Sequence, residues 1–338
     1  MPTDVVSLQA IGLTEVKRAL RRRLQLVAEG VHQTKVFVVV NGKGGVGKSS
    51  LSAALAAAWA AIGLRVLLIE MDEQGNNGED LGTTGTVLAD DGEAQAAAIL
   101  DGKPLTPTGE ARPGLFVVPG GAVLEDVIEE LYCQRRLASR CESPEDQSAW
   151  MGMYAAAIDA VRDLYDVIVL DVAPGSEPLQ LQALAAGDFV LVPSKSDPSS
   201  RKGLRTVARR FGQARALNPM LRLLGVVIFG TNASATNIQT KIKEQLEEDL
   251  NGAAPVFDQT IRHVEAAAVA CRLAGRVAHE MRSSTAIEPS VRRSMKALAG
   301  DYQSLAIEIM QAKTALDIEI MQAKTALDRG TRTESEAA

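Results

Sequence analysis

Eight consecutive residues, Gly42-Lys43-Gly44-Gly45-Val46-Gly47-Lys48-Ser49, match the spacing GxxxxGK[ST] directly after an apolar run and directly before an Ala-rich stretch. That spacing serves the binding of a nucleoside triphosphate. Glycines allow positive φ and bring successive N–H groups close to phosphate oxygens, while a following helix adds the positive end of its dipole. Lys48 would neutralise the β- and γ-phosphates, the Ser49 hydroxyl would ligate Mg²⁺, and Ser50 would sit near the α-phosphate. The expected cofactors are ATP and Mg²⁺. The expected nucleotide-binding residues are Gly44, Gly45, Val46, Gly47, Lys48, Ser49 and Ser50.

A second acidic site follows from the stretch YDVIVLDVAPG, in which Asp171 closes an apolar strand. Open α/β sheets collect ligands at the carboxyl ends of their strands, so Asp171 can hold a Mg²⁺-bound water. An aspartate in this position could also be a simple helix cap. Its company with the phosphate loop favours the metal role.

These residues need a sheet to hold them. Short β-branched runs at Val36–Asn41, Arg65–Glu70, Leu115–Pro119, Asp166–Asp171, Phe189–Pro193 and Leu223–Gly230 alternate with longer Ala/Leu-rich helical stretches. The fold expected is α/β: a doubly wound, mostly parallel sheet with helices on both faces. With aromatics at 4%, its core must be built from Val, Leu, Ile and Ala, which suits that packing. Residues 1–35 form an N-terminal helical extension, with Leu13, Val16, Leu20, Leu24 and Val27 at helical spacing beside Lys17, Arg18, Arg21, Arg22 and Arg23. That helix either docks on the core or a partner, or touches DNA. Residues 36–288 form the nucleotide domain, residues 289–328 a C-terminal helix, and residues 329–338 a disordered polar tail.

Within that last helix IEIMQAKTALD occurs twice without change, as Ile307–Asp317 and Ile318–Asp328. Eleven residues close on three turns at about 3.67 per turn, so Ile307, Met310 and Leu316 recur on nearly the same stripe as Ile318, Met321 and Leu327. The stripe could extend a dimer or partner contact, or simply lengthen a terminal helix.

A triphosphate loop has no need of Lys43. The form KGGVGKS resembles the deviant Walker A motif of the ParA/MinD superfamily, in which the early lysine reaches the partner subunit's nucleotide; Lys43 matches that lysine. The sequence IEMDEQGNN is similar to the partition-ATPase motif DxDPQGN and places Asp72, Gln74, Gly75 and Asn76 in a switch facing the attacking water. Glu70 and Glu73 depart from the pattern, standing for aspartate and proline. The resemblance, which runs from about Val36 to Pro289, implies Lys43, Lys48 and Asp72 as catalytic residues and Pro174-Gly175 as a second switch. It further implies a homodimer assembled by ATP, hydrolysis that is weak alone and stimulated by a ParB-type centromere-binding protein, and segregation of a plasmid or chromosome. The later segment IRHVEAAAVACRLAGR resembles a family segment too and sets Arg262, Glu265 and Ala266 on matching positions.

Charge supplies an independent indication. Between Asp197 and Glu244 there is no acid but nine cations, so this stretch contributes +9 to a chain of net charge −6 and the rest totals −15. Such separation fits a polyanion-facing surface. Arg201, Arg205 and Arg209 recur every four residues along one helix face; with Lys202, Arg210 and Arg262 they are the candidate contacts to nonspecific double-stranded DNA. The bland alternative is a solvated helix face.

The sequence excludes other classes more firmly. No apolar run approaches the roughly 20 residues of a membrane span, and no charged region followed by an apolar stretch opens the chain, so a cytoplasmic protein is expected; association with the nucleoid is what the resemblance implies. A MinD-like membrane-associated positioning ATPase is the alternative; it calls for a basic terminal amphipathic helix, whereas the C-terminal repeat is acidic and ends in TESEAA. Cys133, Cys141 and Cys271 are too scattered for a disulfide framework or a cluster-binding reductase.

Overall fold

The computed structural model describes residues 13–29, 34–195, 198–231, 236–252 and 254–336. Eight strands form its sheet: β1 (Val36–Val39), β2 (Val66–Met71), β3 (Gly109–Arg112), β4 (Leu115–Val118), β5 (Val167–Val172), β6 (Phe189–Ser194), β7 (Arg222–Thr231) and β8 (Ile261–Arg262). Their spatial order is β3-β4-β2-β5-β1-β6-β7-β8. Every neighbouring pair is parallel except β3 with β4.

The central strand shows why short apolar runs become this sheet. In β1 successive side chains point to opposite faces, so Val36 and Val38 join one buried cluster while Phe37 and Val39 join the other. A strand covered on both sides needs no polar alternation. On the second face Trp59, from the helix Lys48–Ala61, lies 5.0 Å from the Phe37 ring, and Phe37 lies 5.5 Å from Phe189.

The two outermost strands were not foreseen. Strand β3 reads Gly-Glu-Ala-Arg, only partly buried, and pairs antiparallel to β4 as an edge. Strand β8 is two residues long. Neither carries an apolar run, because an edge strand is held by backbone pairing rather than by burial on both faces.

The N-terminal helix Leu13–Ala28 docks on the body through Val16 and Leu20, which close over Gly152 beside Leu217. Lys17 pairs with Asp146, and Arg21 with Glu145 at 3.1 Å. Two of its cations thus have acidic partners within the chain.

The C-terminal helix runs from Pro289 to Glu336, eight residues beyond Asp328 where the sequence reading ended it. Residues 329–336 contain no proline, so every residue keeps the N–H that a helix already under way needs, Gly330 only weakening it. Its first repeat packs on the second cluster through Ile309, while Ile307 and Ile318, equivalent positions of the two repeats, are 54% and 49% exposed.

Candidate nucleotide site

The phosphate loop joins β1 to the helix Lys48–Ala61, at the carboxyl edge of the sheet. Its turn depends on Gly45 and Gly47, whose φ values of +68° and +91° lie in the left-handed region. Gly47 has a second reason: a Cβ there would stand 2.5 Å from the Phe229 ring. The helix then begins without a side-chain cap, leaving its first N–H groups for a ligand.

Around this loop the structure gathers a polar cluster. Lys48 is buried and its Nζ donates to the Lys43 carbonyl at 3.3 Å; burial lowers its pKa, against the pull of Asp171 and Asp72. Asp171 accepts from Ser52 Oγ at 3.2 Å and from Asn77 Nδ2 at 2.7 Å, and Ser49 also hydrogen-bonds to it. Burial pushes the Asp171 carboxyl up to about 6, with the Ser49 hydrogen bond and Lys48 opposing. Asp72 is buried and accepts from the Gln74 N–H at 3.0 Å; burial raises its pKa too.

The donor set fits a hard divalent cation. Ser49, Asp171 and Asp72 offer only oxygen, two of them carboxylates whose pKa values are raised by burial. Buried Glu73 Oε2 and Asn77 Oδ1 also lack partners among the described residues.

Sequence reasoning found Lys48, Ser49, Asp72 and Asp171 together, and the structure brings them together. It missed the residues that hold them. Asn77, not Asn76, donates to Asp171, and its own N–H donates to Glu70 Oε1 at 2.7 Å. Glu70 Oε2 accepts from the Gly120 N–H at 3.4 Å, so this glutamate ties the switch to the loop after β4. Burial, then the neighbouring Asp171, raises Glu70 to about 8. Asn41 accepts from the Lys43 N–H at 2.9 Å and donates to the Pro193 carbonyl at 2.8 Å. Asp80 accepts from Ser50 at 3.5 Å and from Arg272 Nε at 3.1 Å. The doubled asparagine after Gly75 was the one visible signal for Asn77.

The candidate DNA contacts divide. Lys202, Arg205 and Arg209 are exposed on the helix Pro198–Arg215. Arg201 lies on the same helix, but its side chain is outside the described residues, as is Asp197. Arg210 is a correction: it is 7% exposed and donates to Gln180 Oε1, because position 210 falls on the buried stripe with Val207 and Ala214. Gln180 in turn donates to the carbonyls of Ala173 and Pro174 at 2.8 and 3.0 Å. Arg262 is the second correction, since its guanidinium is held by Asp301 at 2.6 and 2.7 Å. It lines a cavity of about 240 Å³ beside Ser50, with Phe229, Ile261 and Tyr302.

A glycine loop on a buried central strand, a lysine in the loop and an aspartate ending the adjacent strand define a P-loop ATPase. A family model described as an AAA domain matches residues 34–223. The chain is 30% identical over 217 residues to the chromosome-partitioning ATPase Soj of Thermus thermophilus, covering 63% of this chain and 77% of that one. It is 31% identical over 235 residues to the chromosome partitioning protein ParA of Caulobacter vibrioides, covering 67% and 80%. Its fold is similar to pNOB8 ParA bound to nonspecific DNA, with a TM-score of 0.55, 20% identity and coverage of 84% and 99%. The chain belongs to the ParA/MinD superfamily of partition ATPases.

Proposed function

We propose that this chain is an ATP-dependent partition or positioning ATPase that closes as a homodimer on Mg·ATP, binds double-stranded DNA without sequence preference and leaves it on hydrolysis. The single observation carrying this reading is the contact between phosphate loop and basic helix. A Cβ at Gly42 would stand 3.0 Å from Thr206 of the helix that exposes Lys202, Arg205 and Arg209. A nucleotide-dependent movement of the loop therefore acts directly on the DNA-facing helix.

In the site, Lys48 and the loop N–H groups hold the phosphates, and Ser49 with Asp171, through a water, would hold Mg²⁺, which supplies charge neutralisation at the phosphate oxygens when bound. Asp72 orients the attacking water. Lys43 from each subunit would compensate charge on the other's nucleotide, so dimerisation and nucleotide state are linked. The cavity beside Ser50, walled by Phe229, Ile261 and Tyr302, takes the adenine. A ParB-type centromere-binding protein serves as the stimulating partner, and the complex resides on the nucleoid in the cytoplasm. Among the described residues no helix is long and apolar enough to cross a membrane.

Two measurements test this. Filter binding to random duplex DNA should show retention with ATP that exceeds retention with ADP or without nucleotide, and that falls steeply with salt; equal retention in all three states would refute ATP gating. Lys48→Ala should abolish ATP binding, whereas Lys43→Ala should keep monomer binding and lose ATP-dependent dimerisation. Identical nucleotide titrations for the two variants would remove the intermolecular role of Lys43.

A further inference from the structure

On the far side of the basic helix lies a cavity of about 570 Å³ that the nucleotide chemistry does not use. Its walls include Leu204 and Phe211 of the helix Pro198–Arg215, Leu223 of β7, Leu250 and, from the first C-terminal repeat, Leu316. The volume falls within the roughly 300–1,000 Å³ of ordinary small-molecule sites, which combine apolar walls with a few fixed polar groups.

The polar groups here are all cations. Arg205, Arg215 and Arg222 line the cavity, and among the described side chains none of them is paired with a carboxylate. Arg215 and Arg222 converge on one acceptor, the Pro219 carbonyl, at 3.3 and 2.8 Å. Arg222 is half-buried, and burial together with the like charge of Arg215 lowers its pKa. Arg222 also donates to the Leu221 carbonyl at 3.2 Å, so the two guanidiniums meet only neutral carbonyl oxygens there, and each still has donors to offer. Duplex DNA could use the charges but not the apolar walls, whereas a neutral hydrocarbon could use the walls but not the charges.

We propose that this cavity binds a small anionic amphiphile, with its hydrocarbon body among Leu204, Phe211, Leu223, Leu250 and Leu316 and its carboxylate or phosphate head on Arg215 and Arg222. The site is separate from the phosphate loop, so ligand binding and ATP binding are independently measurable.

The test is titration of the full chain with dodecanoate, kept below its micellar range, by calorimetry and by displacement of a fluorescent fatty acid. Saturable binding at one site per chain is expected. Acetate and dodecanol should each bind at least tenfold more weakly. The double variant Arg215→Ala/Arg222→Ala should weaken dodecanoate at least tenfold. Ala208→Trp, which fills the lining from the helix, should block it while ATP binding persists. Dodecanol binding as tightly as dodecanoate, or undiminished binding in the double variant or in an Ala208→Trp protein with a normal melting transition, would overturn the proposal. So would co-sedimentation with phosphatidylglycerol vesicles in the absence of dodecanoate binding, which would make the arginines a lipid-surface contact instead.

Discussion

The nucleotide-free protein should become less stable as pH rises from 6.5 to 8.5, and Glu70 is the reason. Glu70 and Asp171 stand opposite each other in the parallel pairing of β2 with β5. Both are sealed from solvent, at 2% and 1% exposure. Burial and the neighbouring carboxylate push Glu70 to about 8, from an ordinary value near 4.5. The folded state therefore holds this proton more tightly than the unfolded chain does. For an acid raised in this way, stability is fully present below the unfolded pKa and is lost as pH rises through the folded one. At pH 6.5 Glu70 is still mostly protonated in the fold, and at pH 8.5 it is mostly ionised, which amounts to about 2 kcal/mol over that interval.

Asp171 at about 6 adds a smaller contribution of the same sign. His279, lowered mainly by burial, acts in the opposite sense, but mostly as pH falls below 6.5, so it offsets only a small part of the change at the lower edge of the window. For a domain of this size 1 kcal/mol moves Tm by about 2–4 °C, so a fall of several degrees is expected in calorimetric scans with chelator and no nucleotide. Glu70→Gln keeps an acceptor for the Asn77 N–H and removes the titration, and it should flatten the slope. An unchanged Tm between pH 6.5 and 8.5, or the same slope in Glu70→Gln, would refute the reasoning.

Four further outcomes follow from the geometry. Asn77→Ala removes the donor at 2.7 Å from Asp171, so hydrolysis should need about 10- to 100-fold more Mg²⁺, read from Mg²⁺ titrations of ATPase rate at saturating ATP. Gly203→Ala would drive a methyl into Asn41 Oδ1, the acceptor that fixes the Lys43 N–H. Overpacking of roughly 1–3 kcal/mol should then appear as weaker binding of a fluorescent ATP analogue, while circular dichroism stays native. Arg210→Met should leave DNA affinity without nucleotide within twofold yet lower stability by about 1.5–3 kcal/mol through loss of its Gln180 bond. Arg209→Ala, by contrast, should weaken DNA uniformly across sequences and reduce the salt slope by about one, measured by mobility shift at several salt concentrations.

What the sequence could say depended on whether a residue's role was local. The phosphate loop was legible because chemistry and backbone requirement coincide within eight residues, and Asp171 because an apolar run ending in an acid marks a strand end. The buried strands were legible for the same reason, whereas β3, only partly buried, and β8, two residues long, were too short or too polar to leave a pattern. Arg210 and Arg262 were misread because charge counting treats every arginine as solvent-facing. One helical step separates the exposed Arg209 from Arg210 on the buried stripe, and the partner of Arg262, Asp301, lies 39 residues away in sequence. The links from Glu70 to Gly120 and from Asn77 to Asp171 join different strands and loops, and no spacing rule could have announced them.

The misreading of Arg210 turns out to matter for how the two halves of the function connect. Among the described residues the basic helix meets the nucleotide site through Thr206 against Gly42, Gly203 against Asn41, and Arg210 through Gln180 to the Ala173 and Pro174 carbonyls after β5. Two of these contacts grip the phosphate loop and the third grips the loop after Asp171, so the helix spans both segments that must respond to a γ-phosphate. Each contact is close-packed or buried, which leaves little room for one partner to move alone. On the proposed function, a cation placed in the interior rather than on the DNA face is what would make the remaining cations sensitive to nucleotide. By reciprocity of coupled binding, the factor by which ATP would tighten DNA on that proposal must equal the factor by which DNA tightens ATP, and severing Arg210 from Gln180 should reduce both together.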